Sequence, residues 1–382
     1  MKIGIFTYHH ADNYGAYLQA CAICNRLNEH PDLEVEIIDF VMNKEIEFYS
    51  FYEKKWVKLL GIFAKKIGFR CKIHQVFEKA RLSPVMRLSR ESLRSDSIND
   101  FIKFVQGKYD VIIAGSDEIW KLDGFRGYPT PYWLFGDLKC RKFSYAASSR
   151  ADFSKLKGEK RETLVKNLHE FEYIGVREQQ TAESLKELLG ENKKICVCCD
   201  PTFLYDFPLR DLSLEEALKG KAKIDPKKKT IVLMTMDHKI ATRVRETFGK
   251  EYNLVSVLEY HSGYRNVYDL TPLQWLEVVK NADLFITTFF HGTCFSIIYQ
   301  TPFITFGSKE RNSKIKSLFV GAEELKERYI LDKDDFLDRP DFKEEVVKRM
   351  KKFDTTEYIR VRRENFNDFV DVLVDSRNMA LK

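Results

Sequence analysis

The chain has 382 residues, of which 44% are hydrophobic and 31% are charged, and its formal net charge at pH 7 is +6. This composition is typical of a soluble globular protein, and so mild a charge does not indicate a nucleic-acid-binding surface. Because the chain is longer than a single hydrophobic core usually serves, its length favours two domains.

The N-terminal residues and the number of cysteines indicate the cellular compartment in which the protein resides. MKIGIFTY begins a strand at once and lacks the apolar region and cleavage site of a signal peptide. No apolar run is long enough to span a bilayer. Eight cysteines in a chain of this length point to reduced thiols rather than a disulfide framework. We therefore expect a cytoplasmic protein.

The spacing of the cysteines does not favour a metal site. Cys21 and Cys24 have C-x-x-C spacing but fall on the apolar face of a predicted helix, so we interpret them as small core residues. Cys196, Cys198 and Cys199 lie in a strand, where alternation sends neighbouring side chains to opposite faces. We predict no bound metal.

The chain opens with a strand, a helix and a second strand, a βαβ unit, over Lys2–Tyr8, Tyr14–Glu29 and Glu34–Phe40. The loop HHADNYG before the helix has one glycine and lacks the G-x-G-x-x-G pattern of a dinucleotide cradle. We therefore predict that its side chains line a cleft, with a solvated loop as the alternative. These side chains are His9, His10, Asp12 and Asn13.

Residues 41–94 form a basic and aromatic segment that we interpret as an insertion in the first domain. Its stretch KKWVKLLGIFAKKIGFRCK alternates apolar residues with lysines at helical spacing. Such a helix either packs its apolar stripe on the body of the protein or binds an anionic membrane surface or a partner. Packing is the favoured interpretation, and peripheral attachment at the inner face of the membrane is the alternative.

Later strands of the first domain end in polar residues. The strand Tyr109–Ala114 is followed by GSDEIW, which places a hydroxyl and two carboxylates at its carboxyl end. In an open α/β sheet ligands bind at that end, so Asp117 suits a general base or a sugar-binding group. The N-cap of the next segment is its alternative role. Two further strands end at Arg177 and at Asp200.

Composition divides the chain. A charged, proline-bounded segment over residues 207–229 is typical of a linker with a short helix, which places the first α/β domain in residues 1–206. A second α/β run follows over 230–355. The final helix, within residues 356–382, is predicted to pack back on the first domain. Two doubly wound domains joined by a hinge predict a site in the cleft between them.

Residues 283–307, DLFITTFFHGTCFSIIYQTPFITFG, predict a strand, a turn, a helix from near Thr293 and a second strand. The N-terminus of a helix attracts anions. Gly292 would let a ligand approach the backbone, Thr293 would cap the helix, and His291 adds a group that titrates near neutral pH. A capped helix with a packed histidine is the alternative.

Six motifs resemble, in their order, those of the polysaccharide pyruvyl transferase family. The resemblance runs from Met1 to about Leu318. The motifs are Asn13-Tyr14-Gly15 with Gln19, Gly115-Ser116-Asp117-Glu118-Ile119-Trp120, Ser144-Tyr145-Ala146-Ala147-Ser148, Val176-Arg177-Glu178, Asp200-Pro201-Thr202 and Phe290-His291-Gly292-Thr293.

This resemblance implies two Rossmann-like domains that face each other across a cleft, as in glycosyltransferases of the GT-B type, with the acceptor on the first domain and the donor on the second. It implies transfer of the pyruvyl unit of phosphoenolpyruvate to sugar hydroxyls as a ketal. The acceptor would be a bacterial surface polysaccharide or its lipid-linked precursor. No metal or other cofactor is implied.

The resemblance also implies roles for individual residues. His291 is the leading general acid, and Asp117 is the candidate base or acceptor-binding group, with Asn13 lining the same cleft. Some family members carry Arg-Leu before the histidine, where this chain has Phe289 and Phe290. A structural role is the alternative for each residue. Besides His291, the residues expected at the donor anion are Arg177, Gly292, Thr293, Arg311 and Lys314.

Two other functions compete with this one. A glycosyltransferase of the same fold would place the diphosphate of a nucleotide sugar at the helix that follows His291. A non-catalytic binding module would keep the fold without the reaction. The identity of the donor separates the first alternative from a pyruvyl transferase, and the effect of replacing His291 separates the second.

Overall fold

A computed structural model describes residues 1–55, 57–58, 64–218, 220–307 and 312–375. Within them the chain forms two sheets, and every strand pairing is parallel. The strands of both sheets are rich in buried aliphatic and aromatic residues, as expected for parallel sheets covered on both faces. The fold is therefore α/β with two parallel sheets, as the sequence predicts.

The first sheet has seven strands in the order β3-β2-β1-β4-β5-β6-β7. Its strands are β1 (Lys2–Phe6), β2 (Glu34–Val41), β3 (Leu88–Arg94), β4 (Val111–Ala114), β5 (Arg141–Ala147), β6 (Phe171–Val176) and β7 (Ile195–Val197). The helices along this part of the chain are α1 (Tyr14–Leu27), α2 (Asn43–Ser50), α3 (Lys65–Arg81), α4 (Ile98–Val105), α5 (Gly158–His169) and α6 (Gln179–Leu189).

The second sheet has six strands in the order β10-β9-β8-β11-β12-β13. Its strands are β8 (Thr230–Met234), β9 (Asn253–Val257), β10 (Arg265–Val267), β11 (Leu284–Thr287), β12 (Phe303–Phe306) and β13 (Tyr329–Ile330). The helices from the linker onwards are α7 (Leu214–Ala217), α8 (His238–Phe248), α9 (Pro272–Lys280), α10 (Phe290–Ile298), α11 (Asn312–Ser317), α12 (Lys333–Asp338), α13 (Phe342–Lys348) and α14 (Thr356–Val374).

The segment interpreted as an insertion contains a strand that the sequence analysis did not predict. Residues Leu88–Arg94 form β3, which pairs with β2 at the edge of the first sheet with an irregular register. Its side chains are half-buried or exposed. An edge strand without an apolar run gives little periodic signal, which explains why composition alone suggested a loose segment.

The helix α3 packs on the body of the protein. Phe69, Ile73 and Phe77 of this helix are buried in the same core as α1. This supports the favoured interpretation for the described part of the amphipathic stretch. Residues 56 and 59–63 of that stretch lie outside the described residues, and contact with an anionic membrane stays a prediction.

The final helix contacts the first sheet. The ring of Phe369 in α14 lies 4.8 Å from Tyr145 of β5 and 5.0 Å from Tyr173 of β6. Phe366, one turn earlier, lies 5.2 Å from Tyr145. The chain therefore crosses back to its first half after completing the second sheet.

The two halves also meet along α1. The ring of Tyr14 stacks on Trp275 of α9 at 4.9 Å, and its hydroxyl donates to the carbonyl of Leu270 at 3.0 Å. Arg70 of α3 pairs with Glu259, which follows β9, at 3.1 Å. None of the described helices is long and apolar enough to cross a membrane.

Candidate functional site

The candidate site lies where the carboxyl ends of the two sheets meet. Helix α10 follows β11, and it begins at Phe290 with Phe289 as its N-cap. The predicted start near Thr293 and the capping role of Thr293 are therefore wrong. The Thr293 hydroxyl instead donates to the carbonyl of Phe289 at 3.2 Å and lies 2.8 Å from the Thr305 hydroxyl. His291 therefore lies in the first turn of α10, where backbone N–H groups have no partner within the helix.

Both glycines in the neighbourhood of His291 are explained by close packing. A Cβ on Gly292 would lie 2.6 Å from the hydroxyl oxygen of Thr287, so this glycine lets α10 pack on β11. A Cβ on Gly15, at the start of α1, would lie 1.9 Å from Nδ1 of His291. The imidazole therefore rests directly on the backbone of α1 from the other half of the chain. A ligand contact by Gly292 or Thr293 stays a prediction.

Asp200 is the anionic partner of His291. Its Oδ2 atom lies 3.4 Å from Nε2 of His291 and accepts a hydrogen bond from Nη1 of Arg177 at 2.8 Å. Its Oδ1 atom accepts from the backbone N–H and the hydroxyl of Thr202, at 3.0 and 2.8 Å. Although burial acts to raise it, the charges of His291 and then Arg177 hold the pKa of Asp200 below its ordinary value.

Arg177 is buried between carboxylates. Besides Asp200, it donates from Nε to Glu178 at 3.0 Å, and its guanidinium carbon lies 4.5 Å from the centre of the Phe290 ring. Burial acts to lower its pKa, but Glu178, Asp200 and Asp117 together hold the pKa of Arg177 above its ordinary value. Arg177 thus orients Asp200, and Phe290 covers the guanidinium.

A cluster of charges around Glu118 lies beside this group. Its carboxylate pairs with Lys314 of α11, with Arg150 at 2.5 Å and with Lys121 at 2.6 Å. Although burial acts to raise it, Lys314, Arg150 and Lys121 hold the pKa of Glu118 below its ordinary value. Three cationic side chains thus converge on the carboxylate of Glu118 at the carboxyl end of β4, next to Asp117.

Lys314 links the cluster to the second half of the chain. Its side chain is 8% exposed. Burial and the nearby charge of Arg177 lower the pKa of Lys314 to about 8, against the opposing effect of Glu178, Glu118 and Asp117. The ammonium group therefore titrates within the range in which an enzyme is assayed.

Asp117 follows β4 with a left-handed backbone, at φ 77°. Its Oδ1 atom accepts from the backbone N–H of Glu118 at 2.8 Å, and its carbonyl accepts from Ser148 at 2.9 Å. A non-glycine residue in this region is strained, and such strain concentrates at functional sites. The side chain is half-buried, and its charge acts on the pKa of both Arg177 and Lys314.

Asn13 stands at the edge of the site. Asn13 is exposed, and its Oδ1 atom accepts from the backbone N–H groups of Gly15 and Ala16, at 2.8 and 3.2 Å. It caps α1, the helix on which His291 rests, and a ligand contact stays a prediction. Arg311 lies outside the described residues.

The side chains of the first loop serve partly structural roles. His9 is buried and lies 3.1 Å from both the carbonyl of Thr7 and Asp39. Asp12 lies 2.6 Å from His74 and accepts from Arg81 at 2.8 Å. These contacts fix the loop. The sequence could not predict the pairs with Asp39, His74 and Arg81, because these partners come from distant segments.

Sequence reasoning missed Asp200, Glu178 and Gly15 as parts of the site, although each stands in one of the six motifs. Their position after a strand or at the start of a helix was the available signal. Within the described residues, no group of three or more His, Cys, Asp and Glu side chains is placed to hold a metal ion.

Comparison with protein families matches polysaccharide pyruvyl transferase over residues 13–310. The chain belongs to this family. It is accordingly a transferase, of a family that uses a pyruvyl donor and a polysaccharide acceptor. No sequence match is found among curated proteins.

Solved structures of other proteins share the fold of this chain. UDP-GlcNAc 2-epimerase from Neisseria meningitidis bound to UDP-GlcNAc aligns with a TM-score of 0.55 at 10% identity, over 98% of this chain and 100% of that one. UDP-GlcNAc 2-epimerase from Methanocaldococcus jannaschii aligns with a TM-score of 0.51 at 15% identity, over 91% of each chain. Both confirm the predicted GT-B-like architecture, and at such low identity they show only the fold.

The contact between Gly15 and His291 gives a first prediction. Gly15→Ala should lower the free energy of unfolding by about 1–3 kcal/mol, because the new methyl group must displace the imidazole. Transferase activity should fall about 100-fold, since misplacing a site residue by 1 Å has that effect. Thermal unfolding and turnover measure the two effects.

A double-mutant cycle provides the control. In a His291→Ala background the ring is gone, so Gly15→Ala should instead stabilise the chain by about 1 kcal/mol through helix propensity. A destabilisation of the same size in both backgrounds would show that the two residues do not interact.

Proposed function

We propose that this enzyme transfers the pyruvyl unit of phosphoenolpyruvate to two hydroxyls of one sugar, on a bacterial surface polysaccharide or its lipid-linked precursor. The observation that carries the proposal is the convergence of His291, Asp200 and Arg177 from the two halves of the chain, at the N-terminus of α10. This arrangement supplies a proton donor, an oriented partner for it and an anion-attracting backbone in one place.

The reaction balances without a further reactant. One proton is added to the methylene carbon of phosphoenolpyruvate, and the two sugar oxygens form two bonds to its central carbon. The bond from that carbon to the phosphate oxygen breaks. Of the two hydroxyl protons, one accounts for the new methyl group and one leaves with phosphate. The products are a pyruvate ketal and inorganic phosphate.

The positive cluster around Glu118 supports a role in binding the donor. Lys314, Arg150 and Lys121 gather around the carboxylate of Glu118, so an entering phosphate or carboxylate would meet three cationic side chains in one place. The first-turn N–H groups of α10 add partial positive charge. We assign donor binding to this cluster together with Gly292 and Thr293. Arg311, which lies outside the described residues, is assigned to donor binding from the family resemblance alone.

His291 is the proposed acid, and Asp117 the proposed base. Asp200 lies 3.4 Å from Nε2 of the imidazole, and the backbone of Gly15 lies against Nδ1, so contacts on both sides limit how the ring can turn. Asp117 stands at the carboxyl end of β4 on the acceptor half, within electrostatic reach of Arg177. Arg177 holds Asp200 in place, so its role in the proposal is positioning rather than direct contact with the donor.

A donor screen tests this function. The full chain is incubated with phosphoenolpyruvate or with UDP-GlcNAc, each with a panel of sugar acceptors, and release of phosphate or UDP is followed. Phosphoenolpyruvate should raise the melting temperature and release phosphate only when an acceptor is present. If UDP-GlcNAc is bound and consumed while phosphoenolpyruvate is not, the proposal fails and the enzyme is a glycosyltransferase. A binding module is indicated instead if His291→Ala leaves ligand binding unchanged and neither donor is consumed.

The lowered pKa of Lys314 gives a second prediction. Lys314 is charged below about pH 8 and neutral above it. Affinity for phosphoenolpyruvate should therefore be constant below this pH and weaken up to about tenfold per pH unit above it. Calorimetric titration between pH 6.5 and 9.5 measures the profile.

Two variants separate Lys314 from its neighbours. Lys314→Arg keeps its charge over this range and should remove the bend in the profile. Lys121→Met leaves Lys314 in place and should weaken binding by a similar factor at every pH. A bend near pH 8 that persists in Lys314→Arg would assign it to another group.

A further inference from the structure

A cavity opens between α2 and α3 of the first half and the carboxyl ends of β8 and β9. Its volume is about 560 Å³, within the range of small-molecule sites. Both halves of the chain contribute to it. Among the residues that line it are Asp12, Phe48, Tyr49, Phe51, Arg70, Met236 and Glu259.

One wall of this cavity is an exposed aromatic surface. Phe48 and Phe51 are 55% and 41% exposed, and Phe48 stacks on Phe125, itself 46% exposed, at 5.1 Å and 17°. Met236 on the opposite side is 55% exposed. Large apolar side chains gathered in this way mark an interaction site, because folding alone would bury them.

The aromatic wall is held in place from behind. Glu45 of α2 is buried, pairs with Arg126 and accepts from the hydroxyl of Tyr132 at 3.2 Å. The Arg126 guanidinium lies 4.3 Å from the ring of Phe125 and 3.9 Å from that of Tyr8. The rings are therefore exposed on a fixed support, which lowers the conformational cost of binding.

The polar groups of the cavity are balanced in charge. Arg70 pairs with Glu259 at 3.1 Å, and Asp12 is compensated by Arg81 at 2.8 Å. Burial, together with Asp12, Glu45 and Asp117, raises the pKa of Tyr49 to about 12, so its hydroxyl remains a neutral donor. Of the described side chains that line the cavity, Arg70, Glu259 and Asp12 each have a partner of opposite charge, which favours an uncharged ligand with many hydroxyls over a phosphate.

The cavity lies near the proposed reaction site. Asp12 directly precedes Asn13, the cap of the helix that supports His291. Tyr49 on the cavity wall lies within electrostatic reach of Asp117. A ligand in the cavity would therefore approach the reacting groups from the acceptor half.

We propose that this cavity binds the sugar rings of the acceptor, with Phe48 and Phe51 stacking on ring faces and Arg70, Glu259 and Tyr49 bonding hydroxyls. The assignment rests on the proposed function, since it names where the acceptor of that reaction lies. Aromatic rings suit the apolar C–H faces of a sugar, and fixed polar groups at the rim select its hydroxyls.

Saturation-transfer NMR on the full chain tests the proposal, with lactose, maltose and N,N′-diacetylchitobiose as probes. At least one probe should receive saturation at its ring protons. The double variant Phe48→Ser with Phe51→Ser should weaken binding about tenfold, whereas Phe48→Tyr with Phe51→Tyr should retain it. Val347→Ser, a matched change at a residue 42% exposed outside the cavity, should have no effect.

Binding of phosphoenolpyruvate, measured as a thermal shift, should be unchanged in all variants. If phosphoenolpyruvate gives no thermal shift in the wild-type chain, that result counts against the proposed function alone, because the sugar-binding measurement contains no phosphoenolpyruvate. The acceptor site is overturned if the wild-type chain binds none of the three probes, or if binding survives the serine variant.

A lipid surface is the competing occupant of these aromatic residues. Co-sedimentation with vesicles of phosphatidylcholine and phosphatidylglycerol at 7:3 distinguishes it. The proposal expects equal sedimentation of the wild-type chain and the serine variant. Sedimentation that is strong in the wild type and lost in the serine variant would assign the aromatic surface to the membrane and overturn the proposal.

Discussion

Replacing His291 by asparagine is expected to lower kcat by about 10²- to 10⁴-fold, the usual contribution of a general acid. The amide retains polarity beside Asp200 but cannot deliver a proton to carbon. The side chain is 13% exposed and makes one ion pair, so the melting temperature should change little. Donor affinity should also be largely kept, because the positive cluster around Glu118 is intact.

Single-turnover release of phosphate from phosphoenolpyruvate measures the effect on chemistry. His169→Asn is the matched control, because His169 ends α5 and lies before the start of β6, at the opposite end of the first sheet from the site. If the kcat of His291→Asn stays within a few-fold of the wild-type value, His291 is not the general acid and its role is to pack against α1.

Replacing Arg177 by methionine is expected to give the largest loss of stability. Its side chain is 3% exposed and neutralises Glu178 and Asp200, which are 5% and 0% exposed. Removing Arg177 leaves the buried Glu178 without this cation and Asp200 with His291 as its remaining partner, at a cost of about 3–5 kcal/mol. The melting temperature should fall by about 10 °C, and activity should fall with it because Asp200 no longer holds His291.

A surface arginine provides the control for Arg177. Arg360 also pairs with two carboxylates, those of Glu357 and Glu364, but its side chain is 54% exposed. Arg360→Met should therefore cost no more than about 1 kcal/mol. If the two variants lose the same free energy of unfolding, burial of the Arg177 ion pairs does not increase their contribution to stability.

The effect of pH on the Arg177 variant has a definite sign. The partners of Asp200 hold its pKa below the ordinary value, so their stabilisation is present above the unfolded pKa of about 3.9 and is lost as the pH falls through the lower pKa of the folded state. The stability gap between wild type and Arg177→Met should therefore be constant from pH 5 to 7 and narrow below pH 4. Chemical denaturation at several pH values measures this gap.

The sequence by itself determined the fold class and the family. Continuous apolar runs such as Thr230–Met234 predict buried parallel strands, and the polar residues that follow several strands predict a ligand-binding edge. Six short motifs in one order carried the resemblance, and the family comparison confirms it. These patterns are local in the sequence, so they can be recognised without knowledge of the tertiary contacts.

Only the tertiary structure decided which of the motif residues act together. Asp200 and His291 are 91 positions apart in the numbering, and Gly15 is still further from His291, yet the three meet at one point. The start of α10 was misplaced because Phe289 and Phe290 continue the apolar pattern of β11. Burial then set the charge state of Lys314, and packing from both halves formed the aromatic cavity, because contact and desolvation depend on how the chain folds.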